Sequence, residues 1–161
     1  MAEGDSGRRG PPPLRPFGLV LHRDGTWTHE GVSIRNRRLR AAFDRSVRYA
    51  QPEGVFVVQF GRFRGQIEVE EAAFFVRLFD PELGEVALSD GSRERLDPTS
   101  LALSAHDGAL LCRVKADLVR GGLLARFFHG AQSELLCAVE ETSAGPRLRM
   151  AGALHPLPPL D

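Results

Sequence analysis

The sequence predicts an α+β fold made of two small β-rich halves, each with one amphipathic helix. Three observations carry this. Short apolar runs are punctuated by Asp24-Gly25, Asp90-Gly91 and Asp107-Gly108, the dipeptides of tight hairpins. Only two stretches show apolar residues at helical spacing, one after Asn36 and one after Gly130. Asp80-Pro81 followed by Gly84 marks an internal boundary between them.

Residues 1–16 hold Gly4, Gly7, Gly10, Pro11, Pro12, Pro13 and Pro16 and almost nothing apolar. Such a segment cannot repay its ordering entropy, so a disordered tail is expected. The ordered chain then opens with a hairpin whose register follows from the buried face. A three-residue loop, Arg23-Asp24-Gly25, puts Leu19, Leu21, Trp27 and His29 on one side and gives Gly25 the left-handed position. A two-residue loop would divide those side chains between faces. Gly31 closes the hairpin.

A helix follows, with Asn36 as N-cap and Leu39, Ala42, Phe43, Ser46, Val47 and Ala50 as its apolar stripe. Its other side carries Arg37, Arg38, Arg40, Arg45 and Arg48, and Pro52 and Gly54 end it. Two strands then flank the loop Gly61–Gly65. Val55, Val57, Ile67 and Val69 are expected on one face, with Phe56, Val58 and Phe60 beside Glu68 and Glu70 on the other. The strand Ala73–Phe79 is apolar on both sides apart from Arg77, as in strands covered on both faces.

The second half, residues 81–153, offers short strands at Val86–Leu88, Leu101–Leu103, Ala109–Val114, Leu123–Phe127 and Arg147–Ala151. Its helix, near Gly130, turns Ala131, Leu135, Ala138 and Val139 inward and Glu134, Glu140 and Glu141 outward. Residues 154–161 form a Pro-rich tail, expected to be extended and polyproline-like. The organisation is thus a 1–16 tail, a 17–80 half, an 81–153 half and a 154–161 tail. Both halves use an Asp-Gly hairpin and a helix, a weak hint of duplication.

Charge and composition narrow the function. Formal net charge is zero, with 21 basic and 21 acidic side chains, so no global field draws the chain to nucleic acid or membrane. Lys115 is the single lysine. No apolar run follows Arg8 and Arg9 to form a signal sequence, and the apolar stretch Ala72–Val76 is far below the ~20 residues of a membrane span. A cytoplasmic location is expected, with Cys112 and Cys137 reduced and buried. The phosphate-binding Gly-rich loops and the serine nucleophile elbow are absent, and no cofactor is implied.

The stretch Asp24-Gly25-Thr26-Trp27-Thr28-His29-Glu30-Gly31, with Ile34, Leu39 and Phe43 after it, resembles the start of the bacterial domain-of-unknown-function family 1285. So does Gln66–Phe74. The family shows Pro where this chain has Ser33, Asp at Glu71 and Pro at Ala73. The resemblance is good over residues 17–80 and fainter over 85–141. It implies two β-rich halves, each with a helix. It assigns no activity, and a signalling role is only a suggestion attached to the family's fold.

Candidate site residues follow. Trp27 and His29 alternate on one strand and so share a face, where an imidazole can bond a ligand that an indole covers. The competing account makes Trp27 a core anchor and gives His29 a backbone partner. With Phe43, and with Arg40 and Glu68 near the mouth, they form the expected ligand pocket. Glu68, Glu70 and Glu71 can serve acid/base work or hold Mg²⁺ or Ca²⁺, or be neutralised by Arg62 and Arg64. None of the five histidines stands at metal-ligand spacing from another His or Cys, so no metal site is assigned. Phe56, Val58, Phe60 and Phe63 form either a partner or dimer face or a surface closed by the second half.

The reading is a non-enzymatic binding or regulatory module for an unidentified small ligand or protein partner, with a homodimer as one form of partner. The alternatives are a small enzyme pairing His29 with Glu68 or Glu70, and a nucleic-acid binder using the Arg-rich helix. Zero net charge and the lack of interleaved aromatics count against the last.

Overall fold

The structure, a computed structural model, describes residues 14–60 and 62–160, and of Arg15, Phe60 and Phe63 the backbone alone. The predicted tail falls largely outside these residues, although Arg15 and Pro16 already belong to the first strand.

The first half runs β1 (Arg15–Leu21), β2 (Trp27–His29), β3 (Val32–Ser33), α1 (Arg37–Ser46), β4 (Val47–Ala50), β5 (Val55–Phe60) and β6 (Phe63–Val69). The second runs β7 (Phe74–Asp80), β8 (Glu85–Leu88), β9 (Arg93–Arg95), a 3-10 turn (Pro98–Ser100), β10 (Ala102–Leu103), β11 (Leu110–Val114) and β12 (Leu123–Phe127). Then come α2 (His129–Cys137), β13 (Val139–Thr142), β14 (Gly145–Met150) and β15 (Ala153–Pro156). Strand β7, before Pro81 and expected in the first half, belongs to the second because it pairs with β8 and β12. The fold is α+β and β-rich, with one helix in each half.

Both halves are six-stranded mixed sheets. The first has the order β3-β2-β1-β6-β5-β4 and the second β9-β8-β7-β12-β11-β10. The second order is the first with every strand six places later. In each, the opening and closing strands lie side by side and parallel, β1 on β6 and β7 on β12, while all other neighbours are antiparallel. The halves are therefore topological twins. What differs is the cover: α1 stands where the second half has only the 3-10 turn, and α2 comes after the second sheet is complete. Strands β13–β15 form a third, antiparallel sheet.

The hairpin register is as the buried face requires. Leu21 faces Trp27 and Leu19 faces His29. The His22 N–H bonds the Thr26 carbonyl at 2.9 Å, closing the loop Arg23-Asp24-Gly25, and Gly25 has φ +85°. Asn36 caps α1, its Oδ1 accepting the Leu39 N–H at 3.1 Å.

Several expectations are corrected. Helix α1 stops at Ser46, and Val47–Ala50 is strand β4. Val47 continues the helical stripe in sequence, but it is β-branched and pairs with Val58. The β5–β6 register is one residue from that expected: Val58 faces Gly65 and Val57 faces Gln66. Phe56 and Val58 therefore share a face with Ile67, not with Glu68 and Glu70. Helix α2 ends at Cys137, so Val139, Glu140 and Glu141 lie on β13. The supposed C-terminal tail supplies β15, paired to β14. Cys112 is buried, but Cys137 is exposed, and neither is in a disulfide.

One core joins the sheets, since the largest fully buried side chains include Trp27, Phe74 and Leu148, one from each. Trp27 is 0% exposed, and its indole N–H donates to Asp44 Oδ1 on α1 at 2.9 Å. The other oxygen of Asp44 accepts from Arg77 of β7, also at 2.9 Å. One carboxylate thus ties the hairpin, α1 and the second half together. Asp44→Ala strands a buried N–H and is expected to cost about 2 kcal/mol, or roughly 4–8 °C in Tm for a chain of this size. Asp44→Asn retains most of that stability, because an amide oxygen still accepts from the indole. Arg77→Ala costs less than about 1 kcal/mol, its guanidinium being half exposed. Urea unfolding followed by the fluorescence of Trp27, the only tryptophan, checks the order; equal losses for Asp44→Ala and Arg77→Ala would refute it.

Candidate functional site

Two features stand out around the first sheet, one on each face. On the inner face, a cavity of about 300 Å³ lies beneath α1, walled by Phe17, Leu19, Ile34, Leu39, Phe43 and Val58, with His29 at its exposed side. Its walls follow from local chemistry. The five residues of β1 from Pro16 to Val20 run beside only three of β6, Gln66 to Glu68, so β1 bulges at Phe17-Gly18-Leu19. Gly18 sits at φ +67° and its carbonyl accepts the Glu30 N–H at 2.9 Å. The bulge lays the Phe17 ring across Gly65, where any Cβ would overlap it. Ile34 is brought in by its N–H, bonded to the Trp27 carbonyl at 2.9 Å. Phe43 comes from α1, its ring 5.3 Å from that of Trp27.

Of the five residues expected to form a ligand pocket, His29 and Phe43 line this cavity and Trp27 packs against Phe43 as a core anchor. Arg40, on α1, is not one of its walls. Glu68 is directly opposite Val20 and so projects from the other face of the sheet, away from Leu19 and His29. His29 and Glu68 cannot act on one molecule across the sheet. Sequence reasoning missed Phe17, whose position depends on a bulge, and Gly65, whose missing side chain makes room for it. The described part of the proposed interaction face is interior: Val58 is buried, and the Phe56 ring packs on Tyr49 and Phe74 at 5.2 and 6.2 Å. The side chains of Phe60 and Phe63 lie outside the described residues.

The outer face carries a polar chain that sequence reasoning did not assemble. Thr28 Oγ1 is 2.8 Å from His22 Nε2, and His22 Nδ1 is 2.5 Å from Glu70 Oε1. The second oxygen of Glu70 accepts the Arg23 N–H at 3.0 Å. These bonds, led by that from the Arg23 N–H, hold the Glu70 carboxyl below its ordinary range. His22 and Glu70 are 29% and 39% exposed, so the chain is wet. An adjoining hollow of about 400 Å³ is also lined by Asp24 and Asp107.

Asp107 belongs to a second polar cluster, where the halves meet. Arg126 grips it with two bonds, one of 3.0 Å to Oδ1 and one of 2.5 Å to Oδ2, and also reaches Glu71 at 3.1 Å. Glu71 accepts the Ser104 hydroxyl at 2.6 Å. Among the described residues, then, Glu70 and Glu71 are satisfied by His22 and Arg126 and not by Arg62 or Arg64. No group of three or more His, Cys, Asp or Glu among those residues is placed to hold a metal ion. Lys115 is also committed, its ammonium 2.7 Å from Asp90 and 4.9 Å from the centre of the Phe74 ring. Burial pushes the Cys112 thiol up to about 12, so it is no nucleophile.

No protein-family model matches this sequence, and no curated protein matches it. Solved structures do. A DUF1285 family protein from Silicibacter pomeroyi DSS-3 superposes with a TM-score of 0.59 at 21% identity, covering 92% of this chain and 88% of its own. The fold is that of the DUF1285 proteins. A second, from Shewanella baltica OS155, gives a TM-score of 0.52 at 15% identity, over 76% of this chain and 91% of its own. The resemblance noted in the hairpin and the Gln66–Phe74 segment thus holds at the level of fold across most of the chain. No helix among the described residues is long and apolar enough to cross a membrane.

The Arg126 clamp has a pH signature. It depresses the Asp107 carboxyl from 3.8 to about 2, the bonds from Arg126 being the main cause. Between those values the unfolded chain binds more protons than the folded one, so stability rises with pH there. The contribution is complete above about pH 4 and is lost as pH falls toward 2. Acid titration of stability should be less steep over that interval in Arg126→Gln than in the parent. Parallel curves would show that Asp107 gains nothing from the clamp.

Proposed function

We propose that the protein is a non-enzymatic binding module that holds a small, largely apolar molecule in the cavity beneath α1. One observation carries this: a cavity of about 300 Å³ with apolar walls has a single imidazole at its open side. Ligand sites have this make-up, an apolar lining with a few polar groups that fix orientation, and this volume is at the lower end of their range. The His29 ring makes no hydrogen bond among the described residues, so it is available to a ligand. The class that fits is a short aliphatic or aromatic molecule with one hydrogen-bonding or anionic group. A regulatory role fits the same site, since α1 is both its roof and the element tied to the second half through Asp44 and Arg77. A cytoplasmic setting belongs to the proposal, because an exposed thiol at Cys137 suits a reducing compartment.

A second reading, a small enzyme with a His/Glu site, is favoured by the Thr28–His22–Glu70 chain on the outer face. A hydroxyl, imidazole and carboxylate in that order can activate the hydroxyl oxygen. The exposure of the chain weighs against it, since water competes for each bond and weakens the electrostatics that such catalysis uses. If this reading holds, p-nitrophenyl acetate is hydrolysed above background and Thr28→Val abolishes the excess. An unchanged rate in Thr28→Val ends it.

The cavity is tested by amide NMR titration with octanoate and with indole. Both should shift amides of α1 and of the bulge around Gly18. Leu39→Trp, which fills the cavity from a partly exposed position, should remove the shifts. His29→Ala should weaken octanoate by about tenfold, the worth of one charge-assisted hydrogen bond, while leaving Tm nearly unchanged. Shifts absent in the parent, or unaltered in Leu39→Trp, would overturn the reading; a loss of several degrees in His29→Ala would make His29 structural.

A further inference from the structure

The chain is neutral overall, but its charge is segregated. Helix α1 holds Arg37, Arg38, Arg40 and Arg45, and its first turn contains no acidic residue. Among the described residues none of these arginines makes an ion pair. Cations in a first turn oppose the helix dipole by ~0.3–1 kcal/mol each, so Arg37, Arg38 and Arg40 place an electrostatic load at this end of α1 that no ion pair among the described residues relieves. Just ahead of α1 in the chain, on β3, is Val32, 70% exposed, the most exposed large apolar side chain described.

At another place the surface has the opposite character. A groove bounded by α2, the β7–β8 hairpin and β13–β14 comprises two adjoining hollows of about 600 and 400 Å³ that share Pro81, Glu134 and Cys137. Five carboxylates line it against two arginines, Arg93 and Arg149. Asp80 caps the turn after β7, Glu134 accepts the Phe79 N–H and Glu140 is forked to Arg149. Glu82 and Glu85 remain with no ion pair among the described residues. The exposed Leu78 contributes an apolar wall, with Leu83 beside the groove.

We propose that the groove receives α1 of a second copy of this chain. The arginines meet Glu82 and Glu85, and the exposed Val32 packs toward Leu78 and Leu83. Each chain has one such helix and one such groove among its described residues, and in the proposed pair the contact is made twice. Reciprocity also answers the question of size: a ten-residue helix is only about 15 Å long, too little for the ~1,200 Å² of a specific interface unless the contact is doubled. This inference is independent of the cavity, which lies on the inner side of α1.

The test is sedimentation of the full chain with a charge exchange. Arg38 and Arg45 are two turns apart on one side of α1 and are reversed together, Arg38→Glu with Arg45→Glu. Glu82→Arg with Glu85→Arg reverses the groove. The parent should dimerise in 0.1 M salt and dissociate at least tenfold more readily in 1 M, where screening shortens from about 10 to 3 Å. Each reversed variant should be monomeric, and their equimolar mixture should restore a dimer, because both contacts are then complementary. Trp27 fluorescence confirms that the variants are folded. A parent monomeric at every concentration, a dimer indifferent to salt and to both reversals, or a mixture that stays monomeric would each overturn the proposal. So would a monomer that binds an oligonucleotide through the same arginines.

Discussion

The buried indole of Trp27 sets a requirement that much of the structure meets. A side chain that is wholly enclosed brings an N–H that must be paired, and the strand bonds around it are already taken by backbone groups. Its acceptor has to come from another element, and Asp44 is that acceptor. To deliver it, α1 must lie over the hairpin at one height and one rotation. That placement brings Phe43 onto Trp27, leaves Leu39 over the cavity and turns the second carboxylate oxygen toward Arg77 of the other half. A helix of ten residues would not persist in water by itself. It is held by this bond and by the apolar face beneath it.

What could be read from the sequence was what depends on neighbours along the chain. The loop Arg23-Asp24-Gly25 sets the hairpin register through Gly25, and Asn36 starts α1 through its own side chain. Trp27, His29 and Phe43 could be grouped because alternation along a strand and the start of a helix decide where they point. What could not be read depends on partners far away. Val47 and Ala50 fit a helical stripe as well as a strand, and the decision rests on β5, where their partners Val58 and Val55 lie. Leu154–Pro156 looks like a proline-rich tail until β14 offers its edge. Glu68 seemed close to His29 because a strand lists both of its faces in one line; only the parallel pairing to β1 separates them.

The twin topology shows the same limit. Both sheets place their first strand parallel to their last, an arrangement that needs a crossover, and in both the crossover falls between the third and fourth strands. In the first half it contains α1, and in the second it shrinks to Pro98–Ser100, where Asp97 caps a single 3-10 turn. Apolar phase along the chain differs because the covers differ: the first sheet needs residues to face α1, the second to face α2 from outside its own order. Equal topology under unequal cover gives unequal sequence patterns.

Helix α1 therefore works on three sides. Inward it roofs the cavity with Leu39 and Phe43, sideways it reaches the second half through Asp44, and outward it displays arginines that make no ion pair among the described residues. It is short, and its place depends on tertiary contacts as well as on the Asn36 cap. A molecule seated beneath it and a surface docked on its outside would both alter the free energy of one helix position. If both events occur, they are coupled, and the coupling is reciprocal: whichever occupant favours a given placement of α1 lowers the cost of the other. The magnitude is bounded by what fixes the helix, the Trp27–Asp44–Arg77 bonds together with the apolar face beneath it.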